Sequence, residues 1–327
     1  MICKSLSELI GKTNILEIAP EVHKLKNVKL YAKLELFNPF GSIKDRTALA
    51  LIKSRLSKRD QPAYSDQKQS KPVILEVTSG NTGKALQALA IEQKTKVRVL
   101  AKEYKIPEQR DLIMLLGGEI EEYQTSKEFF DGNDPNNPQN IVNQLEKSEP
   151  SNYVASQQFT SDANWKIHYE TTAQEILDDL GKVDYFFGCL GTTGSSLGII
   201  QKLREVNPDL CAVGVIDAPN NHVPGMNTAK ELEIIKLFNK KSYQKLVEIT
   251  EDEAIDNTVE LIRSHALMCG LSTGASFAAV KKTLSNSGEP DERKALFIAC
   301  DRVEPYLSFI KQQRPELFKA HKTIKVD

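Results

Sequence analysis

Short runs of β-branched, aliphatic and aromatic residues alternate along the chain with longer segments in which apolar residues recur at helical spacing. Bounded by turn formers, six of the short runs are interpreted as strands: residues 29–36, 73–77, 96–101, 185–190, 211–217 and 294–299. The helical spacing is found in residues 45–56, 81–93, 108–116, 195–206 and 251–266. Strands that alternate with helices predict an α/β protein with open, mostly parallel, twisted sheets flanked by helices.

Two polar segments interrupt this pattern and are predicted to be surface loops. Residues 57–71 are polar and charged, and residues 131–139 (DGNDPNNPQ) consist almost entirely of turn-forming residues.

The composition indicates a globular protein whose partners are small molecules or other proteins. A length of 327 residues fits about two domains or one large one. The 43 Lys and Arg residues nearly balance the 44 Asp and Glu residues, so no net field attracts nucleic acid or an anionic membrane. We therefore predict no nucleic-acid partner and no membrane partner.

The cysteine pattern favours a reduced, cytoplasmic protein without a metal site. Five cysteines are widely spaced, with no C-x-x-C pair and no histidine at zinc-ligand spacing. The first residues, MICKSLSELIGKTN, lack the apolar core of a signal peptide, and the long apolar stretch at 185–200 contains four glycines. Neither secretion nor a membrane span is predicted.

Candidate chemistry lies where strands lead into helices, because parallel sheets bind ligands beyond the carboxyl ends of their strands. Residues 78–83 (TSGNTG) and 191–195 (GTTGS) are Gly-rich turns before helices, so their backbone N–H groups can bind a carboxylate or phosphate. Neither turn matches a dinucleotide or Walker A motif. Taken alone, each turn also fits a simple helix cap.

Two further segments contain candidate residues. Lys44, in residues 38–46 (NPFGSIKDR), is placed in the first turn of a helix, where the macrodipole opposes a cation. This placement suits an amine that forms a Schiff base, although a lone lysine is more often a surface residue. Residues 269–276 (CGLSTGAS) fit a helix break capped by Ser and Gly.

Together and in this order, the four segments resemble the cysteine synthase (O-acetylserine sulfhydrylase) and cystathionine β-synthase family of fold-type II pyridoxal phosphate enzymes. The resemblance extends from residues 10–13 (IGKT) to residues 300–308 (CDRVEPYLS). It implies two open, mostly parallel sheets with the active site between two domains. The smaller domain would be residues 37–154, and the larger would combine residues 1–36 and 155–327.

The resemblance also implies a role for each site residue. Lys44 would form the Schiff base with pyridoxal 5'-phosphate, Asn81 would bind the phenolate oxygen of the cofactor, and Ser272 would face its pyridine nitrogen. The cofactor phosphate would be held by Gly191, Thr192, Thr193, Gly194 and Ser195. The substrate would be bound by Thr78, Ser79, Asn81, Thr82, Gln158 and Gly225.

The implied reaction is β-replacement on an activated L-serine, either O-acetylserine or O-phosphoserine, with sulfide as nucleophile and L-cysteine as product through α-aminoacrylate. Residues 164–169 (NWKIHY) also resemble the branch that makes diaminopropionate precursors with an amine. Asn227 and Thr228 are uncharged where the B isoform has basic residues. An amine or homocysteine nucleophile therefore remains an alternative, as does a non-catalytic binding protein.

The resemblance extends to partners. It implies a homodimer, and it allows binding of the C-terminal tail of serine acetyltransferase.

Overall fold

The computed structural model describes residues 2–56, 71–101, 104–123, 134–285 and 291–319. The strands in these ranges are β1 (Ile15–Ile18), β2 (Val28–Lys33), β3 (Val73–Val77), β4 (Val97–Ala101), β5 (Glu119–Glu122), β6 (Tyr153–Ala155), β7 (Tyr185–Cys189), β8 (Cys211–Asp217), β9 (Lys245–Ile249) and β10 (Arg293–Ile298). The helices are α1 (Pro20–His23), α2 (Lys44–Leu56), α3 (Asn81–Glu92), α4 (Pro107–Leu115), α5 (Pro138–Ser148), α6 (Asp162–Ile167), α7 (Ala173–Leu180), α8 (Gly194–Val206), α9 (Ala229–Leu232), α10 (Glu251–His265), α11 (Leu271–Leu284) and α12 (Leu307–Gln313).

The strands form two open sheets. The larger has the order β1-β2-β10-β7-β8-β9 and is parallel except for the pairing of β1 with β2. The smaller has the order β5-β4-β3-β6 and is parallel throughout. Central strands such as β8 are buried along nearly their whole length, as expected for sheets covered by helices on both faces. The predicted fold class is confirmed.

The strands of the smaller sheet come from residues 73–155, and those of the larger sheet from residues 15–33 and 185–298. The strand β6 of the smaller sheet crosses the predicted boundary between residues 154 and 155. The domain boundaries themselves stay a prediction.

All six predicted strands are present, but one of them ends earlier than expected. Residues 35–37 form a turn of 3₁₀-helix instead of continuing β2. The buried side chains explain the turn, because Asn38 Nδ2 donates to the carbonyl oxygen of Glu35 at 2.9 Å and to its carboxylate at 2.8 Å. These bonds favour a tight turn over an extended chain.

The prediction of a loop over residues 131–139 is wrong at its C-terminal end, because α5 begins at Pro138. The Asn137 side chain accepts a hydrogen bond from Gln139 N at 2.9 Å, so it caps the helix. Asn and Pro are turn formers, but they are also preferred at the N-cap and at the first helical position. Residues 57–70 and 124–133 lie outside the described residues.

A buried ionic cluster holds α2 against β2 and α7. Arg46 Nε lies 2.8 Å from Glu35 Oε2, and Arg46 Nη1 lies 2.6 Å from Glu175 Oε1. Lys33 Nζ lies 2.8 Å from Glu175 Oε2. Although burial opposes it, hydrogen bonding and charge from Arg46 lower the pKa of Glu175 to about 2. The cluster fixes the first turns of α2 relative to the larger sheet.

Removing one member of this cluster is expected to destabilise the protein strongly. The change Glu35→Ala leaves the buried Arg46 without one of its carboxylates, so it should cost about 3–5 kcal/mol of unfolding free energy. Urea denaturation measures this loss. The matched variant Glu17→Ala, on an exposed position of β1, should change stability by no more than about 0.5 kcal/mol. Equal losses in the two variants would contradict the expectation.

Among the helices of the described ranges, none combines the length and apolar composition needed to cross a membrane.

Candidate active site

Residues 300–302, which follow β10, connect three separate parts of the chain. Asp301 pairs with Ser42 in an isolated antiparallel bridge, and Arg302 pairs with Cys269 in another. Asn81 Nδ2 donates to Asp301 Oδ2 at 2.7 Å. The first turns of α2, α3 and α11 are therefore brought together around this segment.

Lys44 is the first residue of α2, as the sequence predicted. Its side chain is half-buried, and its Nζ makes no hydrogen bond or ion pair with any residue that the structure describes. The turn before it is held by Ser42 Oγ, which accepts from Lys44 N at 3.2 Å, and by Ile43 N, which donates to Cys300 O at 2.8 Å. A fixed backbone with an unpaired amine is the arrangement that Schiff-base chemistry requires.

Ser272 is the second residue of α11, which begins at Leu271. The N-cap is Gly270, and no side chain caps this helix. The predicted helix break is present between α10 and α11, and Gly270 caps it as expected. The predicted serine cap is wrong, because the helix begins one residue before Ser272. Ser272 is also buried, and its carbonyl oxygen accepts from the Cys189 thiol at 2.9 Å.

The predicted phosphate loop leads from β7 into α8, which begins at Gly194. Thr193 has a left-handed φ of 65°, and its buried Oγ1 has no hydrogen-bond partner within the described ranges. The first amide groups of a helix also lack intrahelical acceptors, and the macrodipole favours an anion there. An unsatisfied buried hydroxyl beside free amide groups fits the phosphate of pyridoxal phosphate.

Asn164, to which the sequence assigned no individual role, braces this loop. Its Nδ2 donates to Thr192 Oγ1 at 3.0 Å and to Gln158 O at 2.7 Å. Its Oδ1 accepts from Thr47 Oγ1, one turn after Lys44, at 3.1 Å. The loop is thus tied to the helix that carries the lysine.

Two backbones meet at the start of the phosphate loop. A Cβ built on Gly191 would lie 2.5 Å from the carbonyl oxygen of Gly225, so only glycine fits. Asn227 Nδ2 donates to Gly191 O at 2.9 Å. Gly225, predicted on the substrate side, therefore lies against the phosphate loop.

The segment 78–83 leads from β3 into α3, as predicted: residues 78–80 form the connection, and the helix begins at Asn81. Ser79 is exposed, Thr78 and Asn81 are half-buried, and Thr82 is buried. Thr78 Oγ1 accepts from Gly80 N at 3.2 Å, which shapes the turn. An exposed turn at a helix N-terminus is open to a carboxylate.

Gln158 is buried and already fully hydrogen-bonded. Its Nε2 donates to Glu76 Oε1 at 3.1 Å and to Val77 O at 3.0 Å, while its Oε1 accepts from Thr82 Oγ1 at 2.8 Å. To bind a substrate carboxylate, the amide would have to release one of these acceptors. Its role in substrate binding stays a prediction.

Glu76, beneath this loop, is fully buried. Burial raises its pKa to about 7, although hydrogen bonds from Ser156, Val77 and Gln158 oppose the rise. Its pKa is higher in the folded chain than the ordinary value of 4.5. Its contribution to stability is therefore complete below pH 4.5 and is lost as the pH rises through about 7.

The change Glu76→Gln should remove this pH dependence, which amounts to about 3 kcal/mol of unfolding free energy between pH 4.5 and pH 8. Urea denaturation at several pH values measures it. Glu248→Gln, on an exposed position of β9, should keep the wild-type profile. Parallel profiles for wild type and Glu76→Gln would contradict the assignment.

Comparisons with known proteins agree with this geometry. The family model described as "Pyridoxal-phosphate dependent enzyme" matches residues 6–301. Cysteine synthase B of Pseudomonas aeruginosa is 28% identical over 305 residues, which cover 93% of this chain and 96% of that protein. O-ureido-L-serine synthase of Streptomyces lavendulae is 30% identical over 319 residues, covering 93% and 91%.

A solved structure shares the fold. The O-acetylserine dependent cystathionine beta-synthase of Helicobacter pylori superposes with a TM-score of 0.82 at 27% identity, over 94% of this chain and 98% of that one. The predicted enzyme class, fold type and cofactor are thereby confirmed. The chain belongs to the family of pyridoxal-phosphate dependent enzymes.

Proposed function

We propose that the protein catalyses β-replacement on an activated L-serine, O-acetylserine or O-phosphoserine, with sulfide as nucleophile and L-cysteine as product. The observation that carries this proposal is the amine of Lys44, which has no partner in the part of the chain that the structure describes and is held at a helix start hydrogen-bonded to residues 300–302. Similarity to cysteine synthase B supports the choice of reaction.

Each group of residues has one task in this proposal. Bound pyridoxal phosphate supplies the electron sink for cleavage at the substrate Cα. Residues 191–195 hold the phosphate, while Asn81 and Ser272 orient the ring. Lys44 would hold the cofactor through its amine, and the same amine would take the proton from the substrate Cα.

The substrate carboxylate is held by the turn at residues 78–82, with Gln158 and Gly225 completing the pocket. The donors of this turn are the hydroxyl groups of Thr78 and Ser79 and the amide groups at the start of α3. Charge-assisted hydrogen bonds of this kind contribute roughly 1.5–3 kcal/mol each.

The second candidate function keeps the first half-reaction and changes the nucleophile to an amine or homocysteine. The turn after Gly225 favours an amine or homocysteine over an anionic sulfur donor. Asn227 is engaged with Gly191 O, and Thr228 caps α9 by a capping box with Glu231, so neither residue offers a positive charge. Relatives named O-ureido-L-serine synthase and O-acetylserine dependent cystathionine beta-synthase support this candidate.

The experiment separates the two half-reactions. Protein reconstituted with pyridoxal phosphate is mixed with O-acetylserine, O-phosphoserine or serine, and the cofactor absorbance shows which one reacts. Sulfide, a primary amine and homocysteine are then added in turn, and the product is identified by mass spectrometry. We expect cysteine from sulfide. A cofactor spectrum unchanged by all three serine compounds would refute the proposed function.

Assembly and location stay predictions: a homodimer, docking of the serine acetyltransferase tail, and a cytoplasmic location. Gel filtration with light scattering tests the first of these.

A further inference from the structure

We propose that Asp301 is a positioning residue, whose carboxylate turns the side-chain amide of Asn81 so that its nitrogen, and not its oxygen, is presented to the ring oxygen of the cofactor. The inference rests on the proposed function, in which Asn81 binds that oxygen. It concerns what decides the orientation of the amide.

The hydrogen bond between the two residues has only one possible direction. Asn81 Nδ2 lies 2.7 Å from Asp301 Oδ2, and an ionised carboxylate accepts but never donates. When Asp301 is ionised, the nitrogen of the amide must therefore face it. The second hydrogen, near which the Tyr306 hydroxyl also lies, is the one that the proposal assigns to the cofactor.

The other neighbour of Asn81 cannot decide the orientation. Gln109 Nε2 donates to Asn81 Oδ1 at 3.3 Å, which agrees with the orientation set by Asp301. The buried Oε1 of Gln109, however, has no hydrogen-bond partner within the described ranges. The amide of Gln109 can therefore rotate to suit either orientation of Asn81.

The groups around Asp301 act on its charge in opposite directions. The Tyr306 hydroxyl donates to Asp301 Oδ2, and Lys84 lies one turn after Asn81 on α3. Burial raises the pKa of Asp301 above its ordinary value, although Tyr306, Asn81, Lys84 and Lys44 oppose the rise.

Lys84 acts here as a buried counter-charge. Its side chain is only 9% exposed, and it makes no hydrogen bond or ion pair with the described residues. Asp301 and Asp45 are the carboxylates whose charges chiefly oppose the effect of burial on its pKa. Burying a lysine without a direct partner costs stability. Its electrostatic effect on these two carboxylates offers an explanation for its presence here.

The backbone also holds the carboxylate in place. Gly270 N donates to Asp301 O at 2.9 Å, and a Cβ built on Gly270 would lie 2.1 Å from Asp301 Oδ1. That oxygen is buried without a hydrogen-bond partner among the described residues. An acceptor left unsatisfied costs free energy, so stability alone does not explain an aspartate here.

The test compares the holoenzyme with Asp301→Asn, Asn81→Ala and the double variant. The dissociation constant for pyridoxal phosphate is measured by equilibrium dialysis, and folding is checked by circular dichroism. Because the asparagine at 301 can donate, the amide of Asn81 is free to turn, and affinity should fall about 10- to 100-fold. In the double variant the two losses should not add, since Asp301 acts through Asn81.

The change Lys84→Met provides an independent arm that keeps the carboxylate. Without the cation, Asp301 takes up its proton at a higher pH. As the pH is lowered, the affinity for the cofactor should therefore begin to fall at a higher pH in this variant than in wild type. Lys53→Met, on an exposed position of α2, is the matched control and should keep the wild-type profile.

The inference is overturned if Asp301→Asn binds the cofactor as wild type does while Asn81→Ala does not, or if the losses of the single variants add. An unshifted pH profile in Lys84→Met also counts against it. Failure of wild-type protein to bind pyridoxal phosphate would instead refute the proposed function, so the two failures are distinguishable.

Discussion

The change Lys44→Ala is expected to abolish turnover. The variant loses both the amine that attaches the cofactor and the base that takes the proton from Cα, and the base alone contributes about 10²–10⁴-fold to the rate. Removing a cation from the first turn of α2 does not weaken the helix, since the macrodipole opposes that charge. The loss will therefore be catalytic. It is measured by product formation under the conditions that give turnover in wild type.

Lys53→Ala, on an exposed position of the same helix, is the control and should keep wild-type activity. The phosphate loop is untouched in Lys44→Ala, so the variant should still bind pyridoxal phosphate reversibly. If Lys44→Ala formed product at the wild-type rate, the amine that binds the cofactor would have to belong to another lysine. The assignment of the active site would then be wrong.

The second large effect is expected from Gly191→Ala. The added methyl group would lie 2.5 Å from the carbonyl oxygen of Gly225, and two backbones must separate to admit it. That movement also breaks the hydrogen bond from Asn227 to Gly191 O. With the loop displaced, the phosphate loses one or more charge-assisted hydrogen bonds, so cofactor affinity should fall at least about tenfold for each bond lost.

Equilibrium dialysis against pyridoxal phosphate measures this loss. The control is Gly80→Ala, because a Cβ at Gly80 meets no heavy atom within 4 Å and its φ of −153° lies outside the left-handed region. Gly80→Ala should retain the cofactor. Equal cofactor content in the two variants would show that the approach of Gly191 to Gly225 is not needed for the phosphate site.

Local sequence was sufficient to predict those elements whose structure is determined by their own residues. The strands at 73–77 and 211–217 have the predicted bounds, because continuous β-branched and aliphatic runs are typical of buried parallel strands. The strand β5 (EIEE) could not be predicted, since three glutamates disfavour a strand and only its pairing with β4 at the sheet edge creates one. Tertiary context overrides propensity there.

The candidate site follows the same rule. Lys44 and the two Gly-rich turns were recognised because each is a local pattern at the start of a helix. Asp301 was visible only as part of the terminal resemblance, because its partner Asn81 is 220 residues away in the sequence. Lys84 carries no local signal either, since its role depends on carboxylates from two other segments.

Residues 300–302 hold together the starts of α2, α3 and α11, so the order in which the chain is synthesised has a consequence for folding. A ribosome must translate about 220 residues after Asn81 before this junction can form. Contacts of such separation form slowly, because a long loop must close before any of them contributes. The lysine and the phosphate loop therefore exist on the nascent chain well before they can cooperate. Cofactor capture is expected to be one of the last events of folding, and its rate should report completion of the native structure.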